Sequence, residues 1–197
     1  MQEQLIKDIE EFIPFNEQEE KDKTLILKAL GNESDIFTRQ NTICHMTASA
    51  WVVNKDCTKV IMAFHNIYNS WSWLGGHADG DTDLLKVAIK EVKEESSLTN
   101  VIPLSKKIFS LEVLTVDGHI KKGQYVSSHL HLNVTYLLQA DDQEEISIKK
   151  DENSSVGWFE LDKAITASSE EWFKKNIYTK LNQKLALFLS SSSKTDL

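Results

Sequence analysis

Three glutamates near the middle of the chain are spaced so that their carboxylates share one neighbourhood. Glu91, Glu94 and Glu95 stand at i, i+3 and i+4 in the segment 82–97, whose apolar residues recur at helical spacing. Like charges placed this way repel one another, and the last turns of a helix disfavour anions. A hard divalent cation with oxygen ligands would relieve that repulsion. The segment is therefore a candidate metal site.

Two other interpretations of these acidic residues must be weighed. A run such as EVKEE is most often a solvated helix face. A calcium-binding loop that began at Asp79 would need a glycine and a bidentate glutamate at two later positions, where the chain has Leu84 and Lys90. The calcium loop is therefore excluded, and the solvated face stays as the alternative to a metal site.

The residues that precede the helix extend the pattern. Gly76 is followed, at fixed distances, by Lys90, Glu91, Val92, Glu94, Glu95 and Leu98. This spacing resembles the Nudix box, which reads G, five residues, E, seven residues, then R-E-U-x-E-E-x-G-U, where U is aliphatic. Trp71 and the pair Gly75-Gly76 are similar to the family's W-x-x-P-G-G lead-in. The resemblance covers roughly residues 40–165.

Three residues depart from the box. Thr82 stands in place of the first glutamate, and we expect its hydroxyl to cap the start of the helix. Lys90 replaces the arginine, so that the bidentate fork of a guanidinium is lost. Ser97 replaces the late glycine, which would ease a left-handed turn at the helix end. We expect these changes to weaken the scaffold around the glutamates without removing them.

The resemblance implies a fold and a reaction. The fold would be the α/β (α+β) Nudix fold, a mixed β-sheet sandwiched between helices. The reaction would be hydrolysis of a pyrophosphate bond in a nucleoside diphosphate linked to another moiety, by water attack assisted by Mg²⁺ or Mn²⁺. The alternative is a catalytically weak Nudix-fold module that binds nucleotides or regulates another protein.

The resemblance also assigns roles to individual residues. Glu91, Glu94, Glu95 and the backbone carbonyl of Gly76 would bind the metal ion. The general base would be Glu91 or a glutamate in a later loop, for which Glu152 is the candidate. A solvated loop position is an equally good interpretation of Glu152. Lys90 would help to fix the catalytic glutamate.

Three histidines are candidates for substrate binding. His129 and His131 alternate on a predicted strand and so face the same side, where they could meet a metal ion or a phosphate. A packed pair is the commoner arrangement, because no third imidazole or thiol stands at ligand spacing in the sequence. His77 follows Gly76 directly and could contact a phosphate.

The remaining segments supply the elements around these residues. The patterns predict helices over residues 2–13, 17–31, 82–97, 160–167 and 170–190, and strands over residues 42–53, 59–68, 107–116, 127–140 and 155–161. This order favours a mixed sheet with helices packed on it. We predict an N-terminal helical extension (1–40), a Nudix domain (41–190) and a disordered tail (191–197). The extension could serve as packing, as a substrate lid or as a homodimer contact.

The composition and net charge of the chain limit the classes of partner that it could bind. The chain has 197 residues and a net charge of −8, which disfavours non-specific binding to nucleic acid or to a membrane surface. Its two cysteines form no CxxC motif, and its first residues do not resemble a signal peptide. We therefore expect a cytoplasmic protein whose partner is a small nucleoside diphosphate derivative.

Overall fold

The fold is described from a computed structural model that covers residues 2–32, 35–121, 123–148 and 153–192. The helices are α1 (Gln2–Glu11), α2 (Glu17–Asn32), α3 (Leu84–Ser96), α4 (Leu161–Ala167), α5 (Glu171–Phe173) and α6 (Thr179–Ser192), with a π-helical turn at Lys174–Tyr178. The strands are β1 (Cys44–Val53), β2 (Lys59–His65), β3 (Ser70–Ser72), β4 (Leu74–His77), β5 (Ile102–Pro103), β6 (Ser110–Val116), β7 (His119–Lys121), β8 (Gln124–Val126), β9 (His129–Gln139) and β10 (Asn153–Glu160). Mixed sheet and helices confirm the fold class expected from the sequence.

The chain divides into two units, each made of several segments. The first unit contains residues 1–50, 75–91 and 103–137, and the second contains residues 51–74, 92–102 and 138–197.

In the first unit, the N-terminal helices predicted from the sequence are present. Leu5 and Ile9 form the buried face of α1. The side chain of Asn16 accepts a hydrogen bond from the backbone N–H of Glu19 at 3.0 Å and so caps the start of α2. Lys23 donates to the carbonyl of Phe12 at 2.8 Å, just beyond the last turn of α1. The extension is thus a helical hairpin with its own internal contacts.

The sheet of the first unit has the strand order β4, β1, β9, β6. Strands β6 and β9 are antiparallel, with Leu114 opposite His131 and Val116 opposite His129. On β9, Leu132 and Val134 are fully buried. The order matters for function because β4, β1 and β9 are neighbours although they are far apart in sequence.

A buried polar network joins helix α2 to this sheet. The Asn133 side-chain oxygen accepts hydrogen bonds from the hydroxyls of Thr47 and Ser49, both at 2.9 Å, and its amide nitrogen donates to Glu112 at 2.9 Å. Ser110 contacts the carboxyls of both Glu112 and Glu19, the latter at 2.6 Å. Buried carboxylates of this kind are tolerated because each oxygen has a polar partner.

In the second unit, β2 lies between β1 and β10. Residues 54–58 connect β1 and β2 as a hairpin, in which Val53 pairs with Val60. Strand β10 runs antiparallel to β2 along its whole length. Trp51 stacks on Tyr178 with ring centroids 5.6 Å apart, and both side chains are fully buried. These aromatic rings therefore belong to the core of this unit.

The structure differs from the sequence expectations at several places, including strands β3, β4 and β5, which the patterns did not predict. The segment between the strands predicted at 107–116 and 127–140, for which no strand was predicted, contains β7 and β8, which form a two-stranded sheet. The helix predicted over 170–190 is interrupted by the π-helical turn. Most of the tail, residues 193–197, lies outside the described residues, and Ser191 and Ser192 belong to α6. No helix in the described part of the chain is long and apolar enough to cross a membrane.

Candidate active site

Helix α3, which carries the three glutamates, begins at Leu84, two residues later than the predicted start at residue 82. The Asp83 carboxylate accepts a hydrogen bond from the backbone N–H of Lys86 at 3.1 Å, and the Asp83 carbonyl accepts one from Val87 at 3.0 Å. Asp83 is thus the capping residue. The expectation that Thr82 caps the helix is wrong, because the turn at Asp81 shifts the helix start. Thr82 instead lines a cavity next to Leu5 of helix α1.

The two glycines before the helix are required by close approach. A Cβ atom on Gly75 would lie 2.5 Å from the carbonyl oxygen of Ala48 on the neighbouring strand β1. A Cβ atom on Gly76 would lie 2.5 Å from the carboxyl carbon of Glu91. The missing side chain of Gly76 therefore leaves room for the Glu91 carboxyl against the backbone. This juxtaposition is the one that the box spacing implied.

Glu91 is held from its other side by the residue before it. The Lys90 ammonium lies 3.1 Å from Glu91 Oε1, and the Glu91 side chain is only 12% exposed. Lys90 itself is largely exposed, so the ion pair is worth little to stability. A single ammonium orients the carboxylate less firmly than a bidentate guanidinium would.

Glu95, in the second unit, has a partner that the sequence did not reveal. It is 5% exposed, and the Asn153 amide donates to Glu95 Oε1 at 3.1 Å. Asn153 begins strand β10 and is separated from Glu95 by 58 residues, so no local pattern could link them. Glu94 is exposed. Glu152, the candidate in the late loop, lies outside the described residues.

At the end of helix α3, Ser97 occupies the position at which the Nudix box has a glycine. Ser97 has φ of 62°, in the left-handed region that glycine adopts at little cost. Its N–H bonds to the carbonyl of Lys93 at 2.9 Å, and its hydroxyl lies 2.6 Å from that of Ser147. The expectation of a left-handed turn at this position is confirmed.

The chain's single arginine lies outside the box. Arg39 forms two hydrogen bonds with the carboxylate of Asp79, at 2.7 and 2.6 Å. The guanidinium holds the pKa of Asp79 below its ordinary value, chiefly through these hydrogen bonds. In this chain the bidentate guanidinium pairing is therefore made with Asp79, in the loop that follows His77, and not with a glutamate of the box.

The predicted histidine pair belongs to a larger cluster in the first unit. His129 and His131 lie side by side on β9, with their Nε2 atoms 3.2 Å apart. His45 on β1 and His77 on β4 join them, with ring centroids of 5.1 Å between His45 and His131 and 4.7 Å between His77 and His131. The expectation of an isolated pair is wrong, because strand pairing supplies two further imidazoles from distant sequence positions.

Burial keeps these rings neutral. Loss of solvent lowers the pKa of His77 to about 3 and that of His131 to about 2, and neighbouring positive charge, including Arg39, acts in the same direction. Burial is also the main cause that lowers the pKa of His45. At neutral pH each of these three rings therefore carries one N–H and one lone pair.

Comparison with known proteins identifies the family to which the chain belongs. A family model described as the NUDIX domain matches residues 45–181. The chain belongs to the NUDIX family. An RNA pyrophosphohydrolase from Pelagibacter ubique (strain HTCC1062) is 29% identical over 144 residues, which cover 71% of this chain and 89% of that protein. The Nudix family predicted from the box is thus confirmed.

Solved structures share the fold. A C. elegans Ap4A hydrolase has a TM-score of 0.51 and 18% identity, and the match covers 74% of this chain and 98% of that one. A NUDIX-family hydrolase from Clostridium perfringens has a TM-score of 0.51 and 22% identity, with 73% and 97% covered. At these identities the likeness concerns the fold alone.

Proposed function

We propose that this NUDIX protein hydrolyses a pyrophosphate bond in a nucleoside diphosphate derivative and that it requires Mg²⁺ or Mn²⁺ to do so. The ligands would be Glu91, Glu94, Glu95 and the backbone carbonyl of Gly76. The observation that carries the proposal is the contact between Gly76 and Glu91, where the absence of a Cβ atom leaves room for a carboxyl beside the backbone.

The residues fit a hard divalent cation. Carboxylate and carbonyl oxygens are the ligands that Mg²⁺ and Mn²⁺ prefer. The three glutamates stand at i, i+3 and i+4 along helix α3, a spacing at which side chains can be neighbours, and this supports the proposed ligand set. Glu95 is oriented by Asn153, which resembles the way in which ligating carboxylates are held by hydrogen bonds in metal sites. When bound, a divalent cation neutralises the pyrophosphate and lowers the pKa of a coordinated water.

The chain's own residues would position and deprotonate the attacking water. Glu91 is one candidate for the general base because its carboxylate is mostly shielded from solvent and lies against Gly76. Glu152 is the other candidate. Lys90 offsets part of the negative charge on Glu91. The single ammonium supports a hydrolase of modest rate, since a loosely held group costs catalytic efficiency.

The histidines are separate from this assignment. His77, His129 and His131 were predicted to contact substrate. Their nitrogens face one another and His45, which favours a role other than holding phosphate.

The N-terminal extension is best assigned to packing. Glu19 of α2 is fully buried and bonds to Ser110 of the sheet. A lid that moved away from the sheet would have to break this buried hydrogen bond. Packing is therefore the simplest role for residues 1–40. A cytoplasmic setting is supported by Cys44 and Cys57, which form no disulfide in the described part of the chain.

A substrate screen tests the proposed reaction. The full chain would be incubated with Mg²⁺ or Mn²⁺ and with Ap4A, dihydroneopterin triphosphate, nucleotide sugars, dinucleotides and an RNA with a 5′-polyphosphate, and the products separated by chromatography. The RNA is included because a relative is an RNA pyrophosphohydrolase. We expect cleavage of at least one pyrophosphate bond, abolished by EDTA.

The same screen decides between an enzyme and a binding module. Each compound would also be tested for a shift in melting temperature, because a ligand that binds the folded state raises it. Tight binding without cleavage of any compound would refute the hydrolase and support the nucleotide-binding alternative.

A further inference from the structure

His45 carries a buried nitrogen lone pair. Its Nδ1 lies 3.0 Å from the backbone carbonyl of Asn41, and a carbonyl can only accept, so Nδ1 must carry the proton. The neutral ring therefore has its lone pair on Nε2. His45 is only 4% exposed, and its Nε2 has no hydrogen-bond partner among the described residues. A buried acceptor without a donor is unusual and calls for a physical explanation.

His129 has the same tautomer for the same reason. Its Nδ1 lies 2.8 Å from the carbonyl of Ser127, so its lone pair is also on Nε2. That Nε2 faces the Nε2 of His131 at 3.2 Å. In both His45 and His129 a backbone carbonyl fixes one nitrogen, as occurs in metal-ligating histidines, whose second N–H is donated to a carbonyl or carboxylate.

The nitrogens lie at distances that approach those of a metal site. One ring nitrogen from each of His45, His77 and His131 can be chosen so that all three lie within 4.8 Å of one another. In a tetrahedral zinc site, nitrogens 2.0–2.1 Å from the ion lie about 3.4 Å apart. The His129–His131 separation is already in that range, and small side-chain rotations would bring in the others.

We propose that His45, His77 and His131, with His129 beside them, form a binding site for a divalent transition metal that prefers nitrogen ligands, such as Zn²⁺, Co²⁺ or Ni²⁺. Three strands, β1, β4 and β9, supply the ligands, so the site is preformed by the sheet. Imidazole selects such ions over Mg²⁺, whereas carboxylates do the reverse. The site is additional to the glutamate site, and the proposal does not depend on the proposed hydrolysis.

A simple hydrogen-bonded cluster of imidazoles explains the observations less well. Such a cluster would pair donors with acceptors, as His129 and His131 can do. It would leave the Nε2 lone pair of His45 buried without a donor. A cation at the centre would satisfy this nitrogen and would use the neutral form in which the buried rings are held.

Cobalt is the probe for the test. The full chain would be stripped with a chelator and titrated with Co²⁺ in a large excess of Mg²⁺, which occupies oxygen sites but competes poorly for imidazole. We expect one Co²⁺ per chain, with visible absorption bands that indicate nitrogen ligation at a site of low coordination number. Zn²⁺ should displace the Co²⁺ and remove the bands.

Matched variants locate the ion. His45→Ala and His131→Ala should each weaken Co²⁺ binding about tenfold or more, whereas His119→Ala should not, because His119 lies outside the cluster and bonds to the carbonyl of Asp117. Circular dichroism would check folding. If His45→Ala does not fold, His131→Ala and His77→Ala, both at half-buried positions, carry the same expectation.

Two outcomes would overturn the proposal. One is failure of the wild-type chain to retain Co²⁺ in excess Mg²⁺. The other is equal Co²⁺ affinity in the folded His45→Ala, His77→Ala and His119→Ala variants. Glu95→Gln should retain the cobalt bands even if it loses hydrolysis, so failure of the histidine site and failure of the proposed hydrolysis can be told apart.

Discussion

The glutamates of helix α3 and the histidines of the first unit are both potential metal ligands, but the two groups differ in what it costs to bury them. Glutamates are charged, so burying several of them without a counter-ion is costly. One member of that group, Glu94, is accordingly exposed, and the buried Glu95 accepts a hydrogen bond from Asn153. Neutral imidazoles can be buried together at much lower cost. The pKa values of His77 and His131, about 3 and 2, match that condition.

This difference has a functional meaning. A site that must admit an anionic substrate with its cation needs access to solvent, and among the three glutamates Glu94 is the exposed one. A site that only has to hold an ion can be closed by a sheet. On the two proposals above, the glutamates would hold a metal ion that works on substrate and the histidines would hold a resident metal ion. The following changes are designed to break or sharpen that distinction.

The largest effect is expected from Glu95→Gln. The substitution keeps the shape of the side chain and removes its charge, so it should lower kcat on the order of a hundredfold or more while the melting temperature without metal is kept or raised. Steady-state assays and thermal melts would measure both. Glu145→Gln, at an exposed position of the same unit, is the control. Full activity in Glu95→Gln would favour a solvated helix face.

A smaller loss is expected from Asn153→Ala. This change removes the amide that orients Glu95, and such orienting partners typically contribute about tenfold to hundredfold to metal affinity or activity. We expect a higher Mg²⁺ concentration for half-maximal activity, measured by metal titration of the rate. Asn100→Ala, at an exposed position, should leave that concentration unchanged. An unchanged metal requirement in Asn153→Ala would remove Asn153 from the site.

A gain of a few-fold in kcat is expected from Lys90→Arg combined with Thr82→Glu. The guanidinium can hold Glu91 with two hydrogen bonds where the ammonium gives one. Helix capping should survive the change at Thr82, because Asp83 supplies the cap. The rates of the double variant and both single variants would be compared. A loss of activity without a loss of stability would show that the lysine is better suited to this site.

The smallest effect is expected from Ser97→Gly. Relief of the positive φ at this position should raise the free energy of unfolding by about 0.5–1 kcal/mol, partly offset by the lost hydroxyl contact with Ser147. Urea denaturation would measure the gain, and Ser147→Ala would measure the offset. Catalytic rate should not change. A decrease in stability larger than that of Ser147→Ala would mean that the serine conformation carries no strain.

Local patterns account for what the sequence could predict. Two features depend on residues within a few positions of one another. They are the helix that carries Glu91 and Glu95 and the left-handed turn at Ser97. The start of the helix was predicted two residues too early, because Asp81 accepts a hydrogen bond from the Asp83 N–H in a turn and Asp83 then caps the helix. The sequence does not show which of several neighbouring polar residues takes the cap.

Contacts between distant segments account for what it could not predict. His45 meets His131 only because β1 and β9 are neighbours in the sheet, and Asn153 meets Glu95 across 58 residues. The hairpin of β7 and β8 was missed for a different reason. Each of its strands has only three residues, too few to show an alternating pattern.

The carboxyl of Glu19 has a consequence for how much of the chain must fold together. The segment matched to the family begins at residue 45, after helix α2 has ended. A fragment cut at that point would leave the Ser110 hydroxyl and the Glu112 carboxyl facing the space that Glu19 had filled. The segment matched to the family therefore starts after a helix whose buried carboxyl belongs to the polar network of the sheet, and we expect the segment that folds as one unit to include helix α2.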